Sequence, residues 1–65
     1  MEIKFAENLK NLRKEKGITQ KQLADALGVD QRTVSAWENC ICEPSFSVLL
    51  NICQFFNETF DDLLI

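Results

Sequence analysis

The sequence predicts an all-α protein of five helices around one core. Apolar residues recur every three or four positions through most of the chain, and no stretch alternates with a period of two. Residues typical of helix starts and stops separate these apolar stretches. The chain has 65 residues, so we expect one domain spanning 1–65. A chain of this size buries only about 60% of its unfolded surface, which leaves little room for an enclosed active site.

Helix 1 is predicted from the spacing of Phe5, Leu9 and Leu12, which lie four and then three residues apart. Lys and Glu residues occupy most of the intervening positions, so the segment is amphipathic. The pattern indicates a helix of about 13 residues. Gly17 is expected to end it, because glycine favours the backbone conformation that terminates helices.

Helix 2 is predicted over about 20–27. Thr19 and Gln22 have the spacing of a capping box, in which each residue satisfies a free backbone N–H group of the other. Gly28 fits the position after the helix, where a positive φ angle costs glycine little. The expected inner stripe comprises Leu23, Ala24 and Leu27.

Helix 3 is predicted over about 31–38, with Asp30 as its N-cap. Helical geometry separates it into two faces. Val34, Trp37 and Glu38 lie on the inner side, and we expect Ile41 to follow there. Val34 and Trp37 are predicted to be core residues. The outward face comprises Gln31, Arg32, Ser35, Ala36 and Asn39.

Two further helices are predicted in the second half of the chain. Ser45, directly after Pro44, is expected to cap helix 4, and Asn57 is expected to end it. Thr59 is expected to cap a short last helix. The predicted inner face of helix 4 comprises Phe46, Leu49, Leu50, Cys53 and Phe56. The predicted inner residues of the last helix are Phe60, Leu63 and Leu64.

The net charge of −3 is unevenly distributed. Residues 1–32 hold seven basic and five acidic residues, a net charge of +2. Residues 33–65 hold five acidic residues and no basic residue, a net charge of −5. A chain divided in this way can still present its basic half to phosphate groups.

Composition argues against several other classes of protein. The sequence has no histidine, no Ser/His/Asp set and no phosphate-binding loop, so we expect neither an enzyme nor a cofactor or small-molecule substrate. No apolar run approaches the roughly 20 residues of a membrane span, and no signal peptide is apparent. The odd number of cysteines, three, fits a reducing compartment, and we expect a cytoplasmic protein.

Cys53 is predicted to be a small core residue, whereas Cys40 and Cys42 fall in the loop after helix 3. We expect these two to be inert loop thiols. Metal or redox sensing is the alternative, but no histidine is available to complete a zinc site. We therefore predict no metal.

The outward face of helix 3 suits a DNA groove. Arg can pair with guanine through two hydrogen bonds, Gln can pair with adenine, and Ser or Ala can approach a thymine methyl group. A solvated helix surface is the plain alternative interpretation. Two short helices joined by a turn that contains glycine are, however, the components of a helix-turn-helix motif, which favours DNA binding.

The residues also resemble a known family. The segment Arg13–Asn39, followed by Glu43, Pro44, Ser45 and Phe46, is similar to the Cro/lambda-repressor-like helix-turn-helix family. The resemblance covers about residues 5–64. It implies a five-helix lambda-repressor-like bundle, a DNA-binding transcriptional regulator, and operators of double-stranded DNA bound by dimers.

The resemblance also implies roles for individual residues. The positions that match base-reading residues are Gln31, Arg32 and Ala36, and Ser35 shares their outward face. The positions that match phosphate-contacting or positioning residues are Gln20, Thr33 and Asn39, to which we add Lys21 of the basic half. Arg13 and Glu38 match a pair that forms an interior salt bridge between helices 1 and 3.

The loop after helix 3 departs from the family pattern. Where the family commonly has glycine followed by basic residues, this chain has Cys40, Ile41, Cys42 and Glu43. Each missing cation weakens binding to phosphates. We therefore expect weak DNA binding by a monomer, with a protein-interaction module of the same fold as the alternative function. A homodimer is expected to form through the last helix, which offers Phe60, Leu63, Leu64 and Ile65.

Overall fold

The computed structural model describes residues 4–65, and five helices account for its regular structure. No strand occurs in this range, so the prediction of an all-α, five-helix protein is confirmed. The helices are α1 (Phe5–Glu15), α2 (Gln20–Leu27), α3 (Gln31–Glu38), α4 (Phe46–Phe56) and α5 (Phe60–Leu64). Helix α1 has 11 residues and is slightly shorter than the sequence predicts. None of the helices described is long and apolar enough to cross a membrane.

The predicted caps begin the last four helices. The side chains of Thr19, Asp30, Ser45 and Thr59 each accept a hydrogen bond from a backbone N–H group in the first turn. Thr19 forms the expected capping box with Gln22. These bonds satisfy N–H groups that a helix start leaves without partners, so local sequence determines where each of these helices begins.

Helices α1 to α4 all end in the same way. The residue that follows the last turn has a positive φ angle: 73° at Gly17, 74° at Gly28, 60° at Cys40 and 56° at Asn57. The next N–H group along the chain then donates to a carbonyl oxygen five residues back, as from Ile41 to Ala36 at 2.9 Å. The ends predicted at Gly28 and Asn57 are confirmed. Cys40 takes this conformation although it is not glycine.

All five helices contribute to one core. Val34 and Trp37 anchor the inner face of α3, as predicted. The buried residues of the described range are Phe5, Leu9, Leu23, Ala24, Val34, Trp37, Ile52, Cys53 and Leu63. Because the buried side chains of Val34 and Trp37 pack α3 against the core, the opposite face of α3 points outward.

The predicted inner face of α4 is wrong in two of its five positions. Phe46 is 68% exposed and Leu50 is 40% exposed, while Ile52, which the prediction omitted, is fully buried. The polar residues of α4, Ser47, Asn51 and Gln54, are four and three residues apart and form one exposed face, so the buried side lies opposite them and the predicted stripe was rotated away from it. Phe46 instead stacks on Phe60, with ring centroids 5.5 Å apart. Ile41 was also expected inside and is largely exposed.

Two hydrogen bonds fasten α5 to the start of α1. The backbone N–H of Lys4 donates to the carbonyl oxygen of Leu64 at 2.8 Å. The side-chain amide of Asn8 donates to the carbonyl oxygen of Leu63 at 3.0 Å. The short last helix is thereby held by backbone groups as well as by the burial of Leu63.

Candidate nucleic-acid interface

A buried charge pair holds α3 against α1. Arg13 Nε donates to Glu38 Oε2 at 2.7 Å, and Arg13 Nη2 donates to Glu38 Oε1 at 3.1 Å. The Arg13 side chain is 11% exposed and that of Glu38 only 2%. Arg13 Nη1 also donates to the carbonyl oxygen of Ile18, at 2.9 Å. The structure therefore brings together the two residues that the family resemblance pairs.

Gln20 joins α2 to the same carboxylate. Its side-chain Nε2 donates to Glu38 Oε1 at 3.2 Å, so one carboxylate connects α1, α2 and α3. Burial alone would raise the pKa of Glu38, but the hydrogen bonds from Arg13 and Gln20 outweigh it and hold the pKa below its usual value. The hydrogen bond with Glu38 raises the pKa of Arg13. Both groups are charged in the folded protein at neutral pH.

The outward face of α3 has exposed side chains at its N-terminal end and small side chains in its middle. Gln31 and Arg32 are exposed, and Ser35 and Ala36 are half-buried. Asn39 Nδ2 donates to Ser35 Oγ at 3.2 Å, which draws the Asn39 side chain along the helix. Small side chains in the middle of a helix let its axis approach base edges closely.

Arg32 contacts the N-cap of its own helix. Asp30 Oδ1 accepts hydrogen bonds from the backbone N–H of Arg32 at 2.8 Å and from Arg32 Nε at 3.3 Å. The Arg32 side chain is 93% exposed. The backbone bond, followed by the side-chain bond, lowers the pKa of Asp30. Sequence analysis identified the cap and missed the side-chain contact, for which the Asp-x-Arg spacing was the available signal.

The predicted phosphate contacts lie at both ends of the α2–α3 unit. Lys21 is exposed, and its Nζ is 3.7 Å from Asp25 Oδ1. An exposed pair of this length contributes little to stability, so Lys21 can exchange this partner for a phosphate at low cost. Thr33 is half-buried on α3, and Asn39 is exposed at its end.

The loop 40–43 beside the end of α3 carries no cation. Cys40, Ile41, Cys42 and Glu43 are all exposed. The loop lines an open groove of about 610 Å³. The groove also contacts Phe5, Ala6, Trp37, Pro44, Leu49 and Leu64. This side of α3 therefore offers backbone and thiol groups and one negative charge.

Cys53 is buried in the core, as predicted, and desolvation raises the pKa of its thiol, with a smaller contribution from Glu58. Cys40 and Cys42 are free thiols at the surface. Within residues 4–65, no three His, Cys, Asp or Glu side chains come together in a way that would hold a metal ion.

Comparison with known proteins identifies the family. A family model described as helix-turn-helix matches residues 9–63, which is most of the chain. The chain belongs to the Cro/lambda-repressor-like helix-turn-helix family. The match includes Arg13, Gln20 and Glu38 together with the whole of α2 and α3.

The chain is similar to several bacterial proteins. An uncharacterized HTH-type transcriptional regulator, YqaE of Bacillus subtilis, is 40% identical over 60 residues, which are 92% of this chain and 52% of that protein. The HTH-type transcriptional activator BcrR of Enterococcus faecalis is 40% identical over 62 residues, 95% of this chain and 30% of that protein. The chain thus spans about half the length of YqaE and less than a third of the length of BcrR.

A solved structure has the same fold. The crystal structure of a transcriptional regulator from Listeria innocua superposes with a TM-score of 0.92 at 33% sequence identity. The superposition covers 98% of this chain and 60% of that one. The similarity therefore extends over all five helices, and not only over α2 and α3.

Proposed function

We propose that this chain is a sequence-specific DNA-binding transcriptional regulator that inserts α3 into the major groove of double-stranded DNA. One observation carries the proposal. The exposed polar end of α3, at Gln31 and Arg32, continues into the small side chains of Ser35 and Ala36, while Val34 and Trp37 are buried on the opposite side. A helix of this kind can approach base edges without displacing its own core contacts.

Four residues are proposed to read bases. Arg32 would donate two hydrogen bonds to a guanine, and Gln31 would pair with an adenine or a neighbouring base. Ser35 and Ala36 would make the closest approach, where a thymine methyl group fits against a small side chain. These positions occupy the first and middle turns of α3, as in other helix-turn-helix proteins.

Four further residues are proposed to position the protein on the phosphates. Gln20 and Lys21 lie at the start of α2, Thr33 lies on α3, and Asn39 follows its end. Gln20 would serve two purposes, since its amide already braces Glu38. Contacts to phosphates set the register of the reading helix on the duplex and carry no sequence information themselves.

The chain is further proposed to bind DNA as a homodimer through α5. Ile65 is exposed after α5, and the exposed Phe46 lies against Phe60 of this helix. A second copy would cover these apolar side chains. It would also double the total number of phosphate contacts, which would compensate for those that loop 40–43 does not provide. Such dimers place two reading helices on half-sites about 34–36 Å apart. As a DNA-binding protein, the chain would act in the cytoplasm, without a cofactor or enzymatic reaction.

Selection from a pool of random duplexes, run at two salt concentrations, tests the function. Enrichment of a defined sequence supports it, and no enrichment even at low salt would instead support the protein-interaction alternative. Sedimentation with and without the selected duplex tests the dimer. A monomer at micromolar concentration in both cases would contradict the assignment to α5.

Two variants separate the proposed roles. Arg32→Ala should cost about 1–3 kcal/mol at the selected site and relax the preference at one base pair. Lys21→Ala should weaken binding to all sequences alike and reduce the salt slope by about one unit. If Arg32→Ala leaves affinity for the selected site unchanged, the assigned reading face is wrong.

A further inference from the structure

The carboxylate of Asp30 interacts with Arg32 in two ways. Its Oδ1 accepts from the backbone N–H at 2.8 Å, which caps α3. The same oxygen accepts from Arg32 Nε at 3.3 Å. Among the described residues, the Arg32 side chain makes no other hydrogen bond, so Nη1 and Nη2 stay available at its tip. The Arg32 side chain is thus hydrogen-bonded at Nε and is otherwise exposed to solvent.

This attachment leaves the part of the guanidinium that reads guanine unoccupied. A guanidinium is a planar group with five donors in a rigid fork, so fixing Nε restricts the direction of the other two nitrogens. Pairing with guanine O6 and N7 needs two such donors in one plane. Because the pair is exposed, the Asp30 contact shifts the population of Arg32 orientations modestly and does not fix a single one.

The negative charge of Asp30 also favours base reading by Arg32 over contact with phosphates. A free arginine at the surface is attracted to any phosphate, and this attraction contributes equally to all sequences. A carboxylate at 3.3 Å offsets part of that attraction and is itself repelled by phosphates. Pairing with the correct base is then favoured over contact with the backbone of any duplex.

We propose that Asp30 is a specificity-determining residue that positions Arg32 for base reading. The inference rests on the proposed function, because it needs α3 to read DNA. Asp30 need not touch DNA for this purpose, since it acts through the direction and the net charge of the Arg32 side chain.

The test uses Asp30→Ser with Asp25→Asn as a matched control. Ser caps helices about as well as Asp, but its side chain is too short to reach Arg32 Nε, so α3 is retained while the contact is lost. Asp25→Asn removes the same charge from a neighbouring exposed residue that pairs with Lys21 instead. Thermal unfolding of both variants checks that the fold is preserved. Asp30→Thr, which also caps helices and is too short to reach Arg32 Nε, replaces Asp30→Ser if the latter fails to fold.

The measured quantity is a ratio of dissociation constants. Its numerator is the constant for a duplex with the Arg32-dependent base pair replaced, and its denominator is the constant for the selected duplex. A good bidentate pair gives a ratio of about 5- to 150-fold in the wild type. Asp30→Ser should lower this ratio by about threefold, with random-duplex affinity unchanged or higher. Asp25→Asn should leave the ratio unchanged.

Two results would overturn the inference while leaving the proposed function intact. One is an unchanged ratio in Asp30→Ser. The other is an equal fall in Asp30→Ser and Asp25→Asn, which would indicate a general effect of charge. If the wild type selects no sequence at all, the proposed function fails and this inference fails with it.

Discussion

The carboxylate of Glu38, at the last residue of α3, accepts two hydrogen bonds from the guanidinium of Arg13 on α1, 2.7 and 3.1 Å long. The pair lies almost entirely out of solvent. The angle between α3 and its supporting helices determines where the outward side chains of α3 point. In this chain, the angle is set by an interior ion pair as well as by the turn between α2 and α3.

Breaking this pair should destabilise the fold strongly. Glu38→Ala leaves the Arg13 guanidinium buried without its main partner, and Arg13→Ala does the same to the carboxylate. We expect each change to cost about 3–5 kcal/mol in the free energy of unfolding, measured by urea denaturation. The exposed pair of Lys21 and Asp25 provides the control, since Lys21→Ala should change stability by less than about 1 kcal/mol. Equal effects at the two sites would contradict the importance assigned to burial.

Stability should also depend on pH through Glu38. Its pKa in the folded protein is held below the value of an unfolded chain, because the carboxylate accepts hydrogen bonds from Arg13 and Gln20. Its contribution is therefore complete above the unfolded pKa of about 4.3 and is lost as the pH falls through the lower folded pKa. The stability difference between wild type and Glu38→Gln should shrink below about pH 4.3. A difference that is constant from pH 7 down to acid unfolding would disprove the linkage.

Replacing Cys40 with glycine should stabilise the protein. Cys40 has a φ angle of 60°, a region that costs a residue with a Cβ atom roughly 1–2 kcal/mol, and glycine avoids most of this cost. We expect a net gain of about 1 kcal/mol and a rise in Tm of about 4–8 °C. Cys40→Ala removes the thiol but keeps the Cβ atom, so it should give no comparable gain. A similar rise in both variants would assign the effect to the thiol.

The buried side of α4 can be tested with two truncations in one helix. Ile52 is fully buried, so Ile52→Ala should cost about 2–5 kcal/mol. Leu50 is partly exposed, so Leu50→Ala should cost about 1 kcal/mol or less. Denaturant unfolding of the two variants gives the comparison. A larger loss for Leu50→Ala would restore the inner face first predicted for this helix.

Helix boundaries could be predicted because they depend on neighbouring residues. Thr19 and Gln22 form a reciprocal pair within one turn, and Gly28 terminates the same helix by its own backbone preference. The buried side of α4 depends instead on packing against the other helices. Eight of its 11 residues are apolar, so apolar spacing alone allows more than one stripe. The exposed polar face of Ser47, Asn51 and Gln54 was the signal in the sequence that places Ile52 inside.

In the candidate site, too, some features could be predicted from the sequence and others only from the packed fold. Arg13 and Glu38 are 25 residues apart, and only the family resemblance linked them before the structure did. The bond from Gln20 to Glu38 depends on where α2 crosses α3, which periodicity does not specify. The contact between Asp30 and Arg32 spans two residues, but it depends on the rotamer of an exposed arginine. Residue patterns locate helices and faces, whereas these contacts require the packed fold.

The hydrogen bond from Lys4 to Leu64 brings residues from opposite ends of the sequence to within 2.8 Å. A linker of a few residues would therefore suffice to join them, and a circular permutant would keep every helix in place. New ends opened in the exposed loop between Cys40 and Glu43 would lie beside the C-terminal end of α3. Chemical groups attached at those ends would be placed beside the C-terminal end of α3 without altering α2 or α3.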